Sequence, residues 1–361
     1  EDLFEKKYEH RSVASSRALI AAFLLLLAIV PLLQLIVEWR RGDRLEVVRL
    51  FDQRPSKASL ADFETGLEKS SVTAHVLRPW MQATQFFAFH DGGAKVSVGR
   101  SGWLFYTPSI NTITQVPQAG DSTTHDAVLA VKAYRDAFAE RGIRLIVMPV
   151  PNKESVYPQW FSHSSTQPTR IINSETREFF DACDAAGVEL IDLFARFREV
   201  SRIPYFLQQD THWSPHGIDV AAELVAARID MRGDTKFETR PVKMDRHGDL
   251  IQMLQSRAIE SFLAPEPMET TQVLGTNATG ASVLVMGDSF SRIFQNDEPR
   301  DAGFIAQLAR HLGQPVAQLV NDGGASTLVR QELFRRPDML AHIKVVVWEF
   351  TERDLRLGIE G

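Results

Sequence analysis

The chain has 361 residues, of which 44% are hydrophobic and 24% are charged, proportions that are ordinary for a globular enzyme. This length exceeds that of one typical domain, so we expect one large domain with accessory segments. The formal net charge of −6 disfavours non-specific binding to nucleic acid, and we expect no nucleic-acid partner. The single cysteine, Cys183, excludes an intramolecular disulfide. Its place in an apolar helical pattern predicts a buried, unreactive thiol.

Near the N-terminus, an uncharged run is long enough to cross a membrane. Residues 18–37 would span roughly 30 Å as a helix, which is the thickness of a bilayer core. No small-residue cleavage site follows, so we predict an uncleaved single-pass anchor after a tail at residues 1–17. A buried core helix is the alternative. Basic residues flank both ends, so the positive-inside rule does not decide the orientation. Pro31 and Gln34 offer polar backbone and side-chain groups that suit contacts with a partner helix in lipid.

After a polar and amphipathic connector at residues 38–95, apolar runs alternate with helical patterns. A strand, a glycine turn and a second strand are predicted over residues 95–106. Five buried strands are predicted at residues 144–150, 188–193, 282–286, 316–320 and 343–348. Helices are predicted at residues 174–186, 215–229, 304–312 and 328–334, with Ser214 as the cap of the second. Residues 233–281 form a predicted insertion with short elements. The pattern indicates an α/β domain at residues 96–361, with a parallel sheet covered by helices on both faces.

A serine closely follows the third of these strands, in the sequence Gly287-Asp288-Ser289. At that position the chain turns from a strand into a helix, which exposes the hydroxyl and aims helix N–H groups at a reacting oxygen. Ser289 is therefore the candidate nucleophile, and a helix N-cap is its alternative role. Gly323 and Gly324 follow the next strand and are candidate donors to an oxyanion; a simple turn is equally compatible with them.

A histidine and an aspartate lie two residues apart just before the helix at residues 215–229. A serine nucleophile needs a base, and the base needs an orienting carboxylate, so His212 and Asp210 are the candidates for these roles. A metal site of Asp210, His212 and His216 is an alternative. Pro215 argues against it, because it puts His212 before the helix and His216 inside. A structural capping loop is a third interpretation.

Four charged side chains near strand ends are weaker candidates. Lys153 follows the first buried strand and Arg292 follows the candidate nucleophile, so both are candidate substrate-binding residues. Glu349 and Arg353 follow the last strand, and we predict a structural salt bridge between them.

Six segments together resemble the AlgX/AlgJ family of polysaccharide O-acetyltransferases, which have SGNH-hydrolase-like domains. They are VGRSGWLFY (98–106), PVPNKESVYP (149–158), QDTHWSPHG (209–217), HGDLIQML (247–254), VLVMGDSFS (283–291) and VVWEFTERDL (346–355). The Asp-His block precedes the serine block, as in this family, whose flavodoxin-like three-layer fold is circularly permuted. A membrane anchor without a carbohydrate-binding module after the last strand is closer to the AlgJ layout than to that of AlgX.

The resemblance implies that Ser289 is the nucleophile, His212 the base and Asp210 the orienting residue of an O-acetyltransferase. It implies an exopolysaccharide acceptor such as alginate, and a membrane-bound O-acyltransferase as the partner that exports the acetyl group. It also implies a bacterial inner-membrane protein with a periplasmic catalytic domain. We expect no cofactor and no metal. A polysaccharide acetylesterase, or a metal-dependent hydrolase using Asp210, His212 and His216, are the alternatives.

Overall fold

A computed structural model describes residues 2–42, 46–49, 56–114, 123–161, 173–277, 279–322 and 325–355. The chain forms two compact units, one of Glu1–Thr84 with Ser256–Ala258 and one of Gln85–Gln255 with Ile259–Gly361.

The strands are β1 (Asp91–Gly92), β2 (Val96–Val98), β3 (Leu104–Tyr106), β4 (Arg144–Val150), β5 (Glu189–Leu190), β6 (Glu238–Arg246), β7 (Glu266–Leu274), β8 (Val283–Gly287), β9 (Val316–Val320) and β10 (Val345–Thr351). The helices are α1 (Asp2–Arg41), α2 (Glu46–Arg49), α3 (Lys57–Ser70), α4 (Val72–Phe89), α5 (Thr107–Thr114), α6 (Thr123–Ala139), α7 (Lys153–Val156), α8 (Pro158–Phe161), α9 (Ser174–Ala185), α10 (Leu193–Phe197), α11 (Pro215–Arg228), α12 (Asp249–Met253), α13 (Arg257–Phe262), α14 (Ser289–Arg292), α15 (Phe304–Leu312) and α16 (Ala325–Arg335). Short 3₁₀ helices cover Pro337–Leu340 and Glu352–Leu355.

The first unit contains the predicted apolar helix. Within α1, residues Arg17–Arg41 are long and apolar enough to cross a membrane, with a mean hydropathy of 2.9. Only 6% of this apolar stretch is buried, so the alternative of a buried core helix is wrong. Pro31 lies inside the helix without ending it. The helix fits a single-pass membrane anchor.

The Gln34 side chain makes its contacts inside the chain rather than offering its amide to a partner helix. Its Nε2 donates to the Ser70 carbonyl at 2.9 Å and to Glu38 Oε1 at 2.7 Å, and its Oε1 accepts the Val72 N–H at 2.9 Å. Gln34 is buried by these contacts. The expectation that Gln34 serves a partner helix is therefore wrong: the amide instead joins α1 to the junction of α3 and α4.

The second unit is built on a five-stranded parallel sheet, as the alternating pattern predicts. The strand order is β5-β4-β10-β8-β9, and every neighbouring pair is parallel. Because successive strand residues point to opposite faces, Ile146 and Val285 enter one apolar cluster while Val147 and Met286 enter the other. Helices α11 and α15 contribute to the first cluster, and α6, α9 and α16 contribute to the second. Both faces of the sheet are therefore covered.

The predicted cap, Ser214, sets the start of α11. Ser214 Oγ accepts the Gly217 N–H at 3.2 Å, and Pro215 occupies the first turn of α11. This geometry suits proline, whose missing N–H would have no partner there. Helix α15 and strands β4 and β9 have the predicted bounds.

Three elements differ from their predicted extents. Strand β5 is only two residues long, because Asp192 caps α10 by accepting the Ala195 N–H and so ends the ladder. Strand β10 runs on to Thr351, because it is central and stays paired with β4 as far as Val150. The 233–281 insertion holds two nine-residue strands, β6 and β7, rather than only short elements. Each is an edge strand in a two-stranded sheet, where Pro241 is tolerated.

Candidate active site

The candidate nucleophile lies at the carboxyl end of the sheet, where parallel α/β folds place their chemistry. Ser289 is the first residue of α14, directly after β8 and Asp288. Asp288, and not Ser289, is the helix cap, since its Oδ1 accepts the Phe290 N–H at 2.8 Å. The N-cap alternative for Ser289 is therefore wrong. Ser289 is partly exposed, which leaves its hydroxyl accessible.

A continuous chain of hydrogen bonds joins the three predicted residues. Ser289 Oγ lies 2.9 Å from His212 Nε2, and His212 Nδ1 lies 2.6 Å from Asp210 Oδ1. Asp210 is fully buried and His212 is 7% exposed. A carboxylate on Nδ1 holds the imidazole in the tautomer whose Nε2 can accept the serine proton. The arrangement can therefore activate a serine for acyl transfer.

The Asp210 carboxylate receives four hydrogen bonds, two on each oxygen. Oδ1 accepts the His212 backbone N–H at 3.0 Å as well as the ring nitrogen, while Oδ2 accepts Arg246 at 3.0 Å and the Asp249 N–H at 3.2 Å. Burial by itself would raise the pKa of Asp210. The adjacent His212 and Arg246, with these hydrogen bonds, outweigh burial and hold that pKa well below its ordinary value. The group remains an anion.

Asp249 is a second carboxylate beside the base, and it is not among the site residues predicted from the sequence. Its Oδ2 lies 3.6 Å from His212 Nδ1, and it accepts the Thr211 N–H at 2.7 Å and the Thr211 hydroxyl at 2.5 Å. Burial, followed by repulsion from Asp210, raises the pKa of Asp249. The preceding Gly248 permits this approach, because a Cβ there would overlap the Gln209 carbonyl. In the sequence, the feature that could have pointed to Asp249 is the HGD sequence at residues 247–249.

Nearby carboxylates make the candidate base more basic. Burial alone would lower the pKa of His212, but Asp210 first, then Asp249 and Asp288, outweigh it and raise that pKa above its ordinary value. A general base must be neutral to accept a proton, so the site is competent only above this raised pKa.

Contacts beneath the site hold the His212 loop against the turn that carries Ser289. Trp213 Nε1 donates to the Phe290 carbonyl at 3.0 Å. Lys153 is buried, and its ammonium donates to the carbonyls of Leu104, Gln208 and Asp210 at 2.6, 2.8 and 3.0 Å. Burial lowers the pKa of Lys153 to about 7, although the nearby carboxylates act to raise it. These contacts put Lys153 under the loop rather than in the open position that direct substrate binding needs.

Glu349 supports the nucleophile turn from the central strand. Its Oε2 accepts the Ser291 hydroxyl at 2.7 Å and the Asp288 N–H at 3.2 Å. Burial, and then the charge of Asp288, raises the pKa of Glu349 well above its ordinary value. A Cβ at Gly287 would overlap both Ser291 Oγ and Glu349 Oε2, so only glycine leaves room for this contact.

The predicted ion pair between Glu349 and Arg353 is wrong. The Arg353 guanidinium instead lies over the rings of Tyr106 and Phe290, 5.6 and 5.9 Å from their centroids. The physical reason is that β10 continues past Glu349, so the carboxyl points at the buried nucleophile turn while Arg353 follows in a 3₁₀ turn.

The remaining candidates are placed as follows. His216 stacks on Tyr205, and its Nε2 lies 3.1 Å from Ser201 Oγ. Among the described residues, the one cluster with metal-ligand spacing is Asp210, His212 and Asp249, so the metal set that included His216 is wrong. Arg292 pairs with Asp297, at 2.5 Å, and with Asp322. Gly323 and Gly324, the predicted oxyanion donors, lie outside the described residues.

The parallel sheet, with a serine after β8 and an Asp-His loop before α11, defines an SGNH-hydrolase-like α/β domain. A family model described as "SGNH hydrolase-like domain, acetyltransferase AlgX" matches residues 96–352. That match spans well over half of the chain, and the chain belongs to this family.

Relatives and solved structures agree with the family. The probable alginate O-acetylase AlgJ of Pseudomonas aeruginosa is 26% identical over 309 residues, which cover 76% of this chain and 74% of that protein. The AlgJ of Pseudomonas putida is 26% identical over 342 residues, covering 87% and 83%. The O-acetyltransferase domain of Pseudomonas putida AlgJ has a TM-score of 0.59 and 27% identity, covering 73% of this chain and 92% of the domain. AlgX of Pseudomonas aeruginosa, at a TM-score of 0.51 and 19% identity, covers 72% and 64% and shares the fold.

Proposed function

We propose that this protein transfers acetyl groups to hydroxyl groups of an exopolysaccharide of the alginate type, through an acetyl ester on Ser289. The observation that carries the proposal is the hydrogen-bonded chain from Ser289 through His212 to Asp210. The names of the relatives, alginate O-acetylases, support an acetyl group and an alginate acceptor.

In the first step, Ser289 Oγ attacks the carbonyl carbon of an acetyl donor while His212 Nε2 takes the serine proton. The carbonyl oxygen becomes an oxyanion, and the Ser289 N–H in the first turn of α14 is a donor suited to stabilise it. The bond to the leaving group then breaks, and His212 returns its proton to that group. Asp210 stabilises the transient imidazolium throughout and stays ionised.

In the second step, a sugar hydroxyl attacks the acetyl carbon of the acetyl-serine. His212 takes the proton of that hydroxyl, and the bond from the acetyl carbon to Ser289 Oγ then breaks. Ser289 Oγ recovers the proton from His212, which restores the starting state. Water in place of the sugar would give acetate by the same steps, so the acceptor alone separates a transferase from an acetylesterase.

The membrane helix fits a division of labour with a second protein. Acetyl donors such as acetyl-CoA are cytoplasmic, and the proposed polymer is exported. One transmembrane helix offers no path for an acetyl group, so we propose a multi-span membrane-bound O-acyltransferase as the partner that delivers it. The anchor would then lie in the bacterial inner membrane, with the catalytic unit in the periplasm.

Trapping the acyl-enzyme tests the chemistry. Full-length protein in detergent, given a chromogenic acetyl ester, should gain one acetyl group on Ser289 in peptide mass spectrometry. Ser289→Ala should lose both the adduct and turnover while unfolding at the same temperature as wild type. Ser174→Ala, an exposed serine at the start of α9, is the matched control and should keep full activity. Equal turnover in Ser289→Ala and wild type would end the proposal.

Acceptor competition separates the two activities. Adding alginate oligosaccharides should divert acetyl groups from acetate to the sugar, which mass spectrometry of the oligosaccharides detects. Unchanged acetate release, with no acetylated sugar, would make the protein an esterase on this substrate.

The partner is tested by exchanging the anchor. A chain in which residues 18–33 are replaced by an unrelated apolar sequence keeps Gln34 and its contacts to Ser70 and Val72. It should remain in membranes, but copurify less of the multi-span acyltransferase and acetylate the polymer less in cells. Full acetylation with the exchanged helix would show that this part of α1 is only a tether.

A further inference from the structure

The first part of helix α4 carries a broad apolar face that is exposed. Val76, Leu77, Trp80 and Met81 fall within one side of the helix at 100° per residue. Between 50% and 66% of each of these residues is exposed. Single exposed apolar residues are normal, but a contiguous apolar helix face of this kind marks an interaction surface.

Contacts inside the first unit set the depth of this face relative to the membrane helix. The Gln34 amide holds the Ser70 carbonyl and the Val72 N–H, and Val72 is the first residue of α4. Gln34 lies about 10 Å before Arg41 along α1, at 1.5 Å per residue. The basic pair Arg40 and Arg41 ends the apolar run and suits the headgroup level. Helix α4 therefore begins below that level, beside the apolar part of α1.

The length of α4 keeps the face close to the bilayer whichever way the helix points. Val76 lies about 6 Å and Trp80 about 12 Å beyond Val72 along the helix axis. If α4 rises straight towards water, Val76 and Leu77 stay below the level of Arg41 and Trp80 reaches it. If α4 lies flat, the whole face stays in the interface. Tryptophan is enriched at that level because one edge of its ring is apolar and the other can donate a hydrogen bond.

We propose that residues 72–81 lie in the membrane interface as a second, amphipathic anchor whose partner is the lipid surface itself. Exposure along the lipid-facing part of α1 runs from 45% at Ile29 to 71% at Leu19, and the α4 face falls within the same range. The face thus continues the apolar surface of α1, to which its first residue is bonded. Arg78 is exposed about 130° round the helix from the middle of this face, as expected for an interfacial helix.

Depth-dependent quenching on the full chain tests this inference. In a Cys183→Ala background, single cysteines at Leu77 and Met81 carry the fluorophore NBD, and the protein is reconstituted in phosphatidylcholine liposomes without any other protein. Labels at Leu77→Cys and Met81→Cys should emit at shorter wavelength and lose fluorescence to doxyl-labelled lipid. Arg78→Cys, which lies about 130° round the helix from the middle of the apolar face, is the matched control and should respond to aqueous iodide instead. Thermal unfolding of each labelled variant checks that the fold is kept.

A label at Leu25→Cys reports on α1 in the same liposomes. If Leu25 is quenched by doxyl lipid and the two α4 labels respond only to iodide, the inference is overturned while the anchor stands. If Leu25 also fails to respond, the anchor and the inference fall together. If the α4 labels are shielded only after a multi-span acyltransferase is added, the face binds protein and the lipid assignment is wrong.

Discussion

Replacing Asp210 by asparagine tests whether the buried carboxylate acts as the structure indicates. The carboxylate accepts two donors on each oxygen: the ring and backbone N–H of His212 on one, and Arg246 and the Asp249 N–H on the other. An asparagine has a single acceptor oxygen. In either orientation, its NH₂ group faces two donors that it cannot satisfy. The variant therefore loses the charge and also mispairs two hydrogen bonds.

The expected loss follows from two estimates that agree. A carboxylate oxygen 2.6 Å from an imidazolium nitrogen, at an effective dielectric constant of about 20, contributes about 6 kcal/mol. That energy corresponds to a rate factor of about 10⁴, which is also the loss seen when a triad aspartate becomes asparagine elsewhere. Each unmet buried donor adds about 1–3 kcal/mol of instability, so the variant should also unfold at lower temperature.

The assay is kcat/KM for an acetyl ester as a function of pH, at a temperature where circular dichroism shows the variant folded. Because Asp210 helps to raise the pKa of His212, the acid limb of the residual activity should move to lower pH. Asp245→Asn, an exposed acid one residue before Arg246, is the matched control and should be unaffected. A loss of only about tenfold in Asp210→Asn, near 1.4 kcal/mol, would refute this reasoning.

Three further predictions concern carboxyl groups around the site. Asp249→Asn removes a negative charge 3.6 Å from His212 that helps to raise the pKa of the base. The acid limb of the pH profile of kcat/KM should therefore move to lower pH. An unchanged acid limb would mean that this carboxyl does not act on the base. Glu349→Gln should keep the contact to Ser291 and most activity, whereas Glu349→Ala should lower the free energy of unfolding by about 2–4 kcal/mol. Denaturant titration of both variants measures this difference. Equal stabilities would contradict the role of Glu349 in supporting the nucleophile turn. Burial raises the pKa of Glu154 to about 8, so folding favours its neutral form. The contribution of Glu154 to the free energy of unfolding is fully present below pH 4.5, and it falls by up to about 1.4 kcal/mol per pH unit as the pH rises towards 8. In Glu154→Gln, the melting temperature should therefore depend less on pH over that range. A melting-temperature profile identical to that of wild type would contradict this prediction.

Some of the fold could be read from local patterns because local physics decides it. Short apolar runs between helical stripes predict a covered parallel sheet, and β4, β9 and α15 have the predicted bounds. The ends of β5 and β10 could not be read in the same way. Strand β5 stops where Asp192 caps a helix, and β10 continues because its neighbours continue. Strand ends depend on pairing partners that lie far away along the chain.

The three central residues of the candidate site could also be found from the sequence. Ser289 follows a buried strand, and Asp210 and His212 precede a capped helix, so each motif predicts its own position at the carboxyl edge of a parallel sheet. The hydrogen-bond distances among them became visible only in the structure. The sequence order, with Asp210 and His212 ahead of Ser289, does not itself require contact, because the side chains meet across 77 residues of chain.

Sequence patterns were therefore enough to predict the apolar helix, the α/β alternation, the family resemblance and the identity of the candidate nucleophile and base. Each of these depends on residues close together in the chain or on a set of short motifs. Four contacts could be seen only in the folded chain: Gln34 binds the α3–α4 junction, Lys153 lies beneath the loop, Asp249 reaches the base, and Glu349 supports the nucleophile turn. A buried polar side chain takes whichever partner the fold brings within hydrogen-bond reach. Because that partner comes from a distant segment, it cannot be predicted from a local sequence pattern.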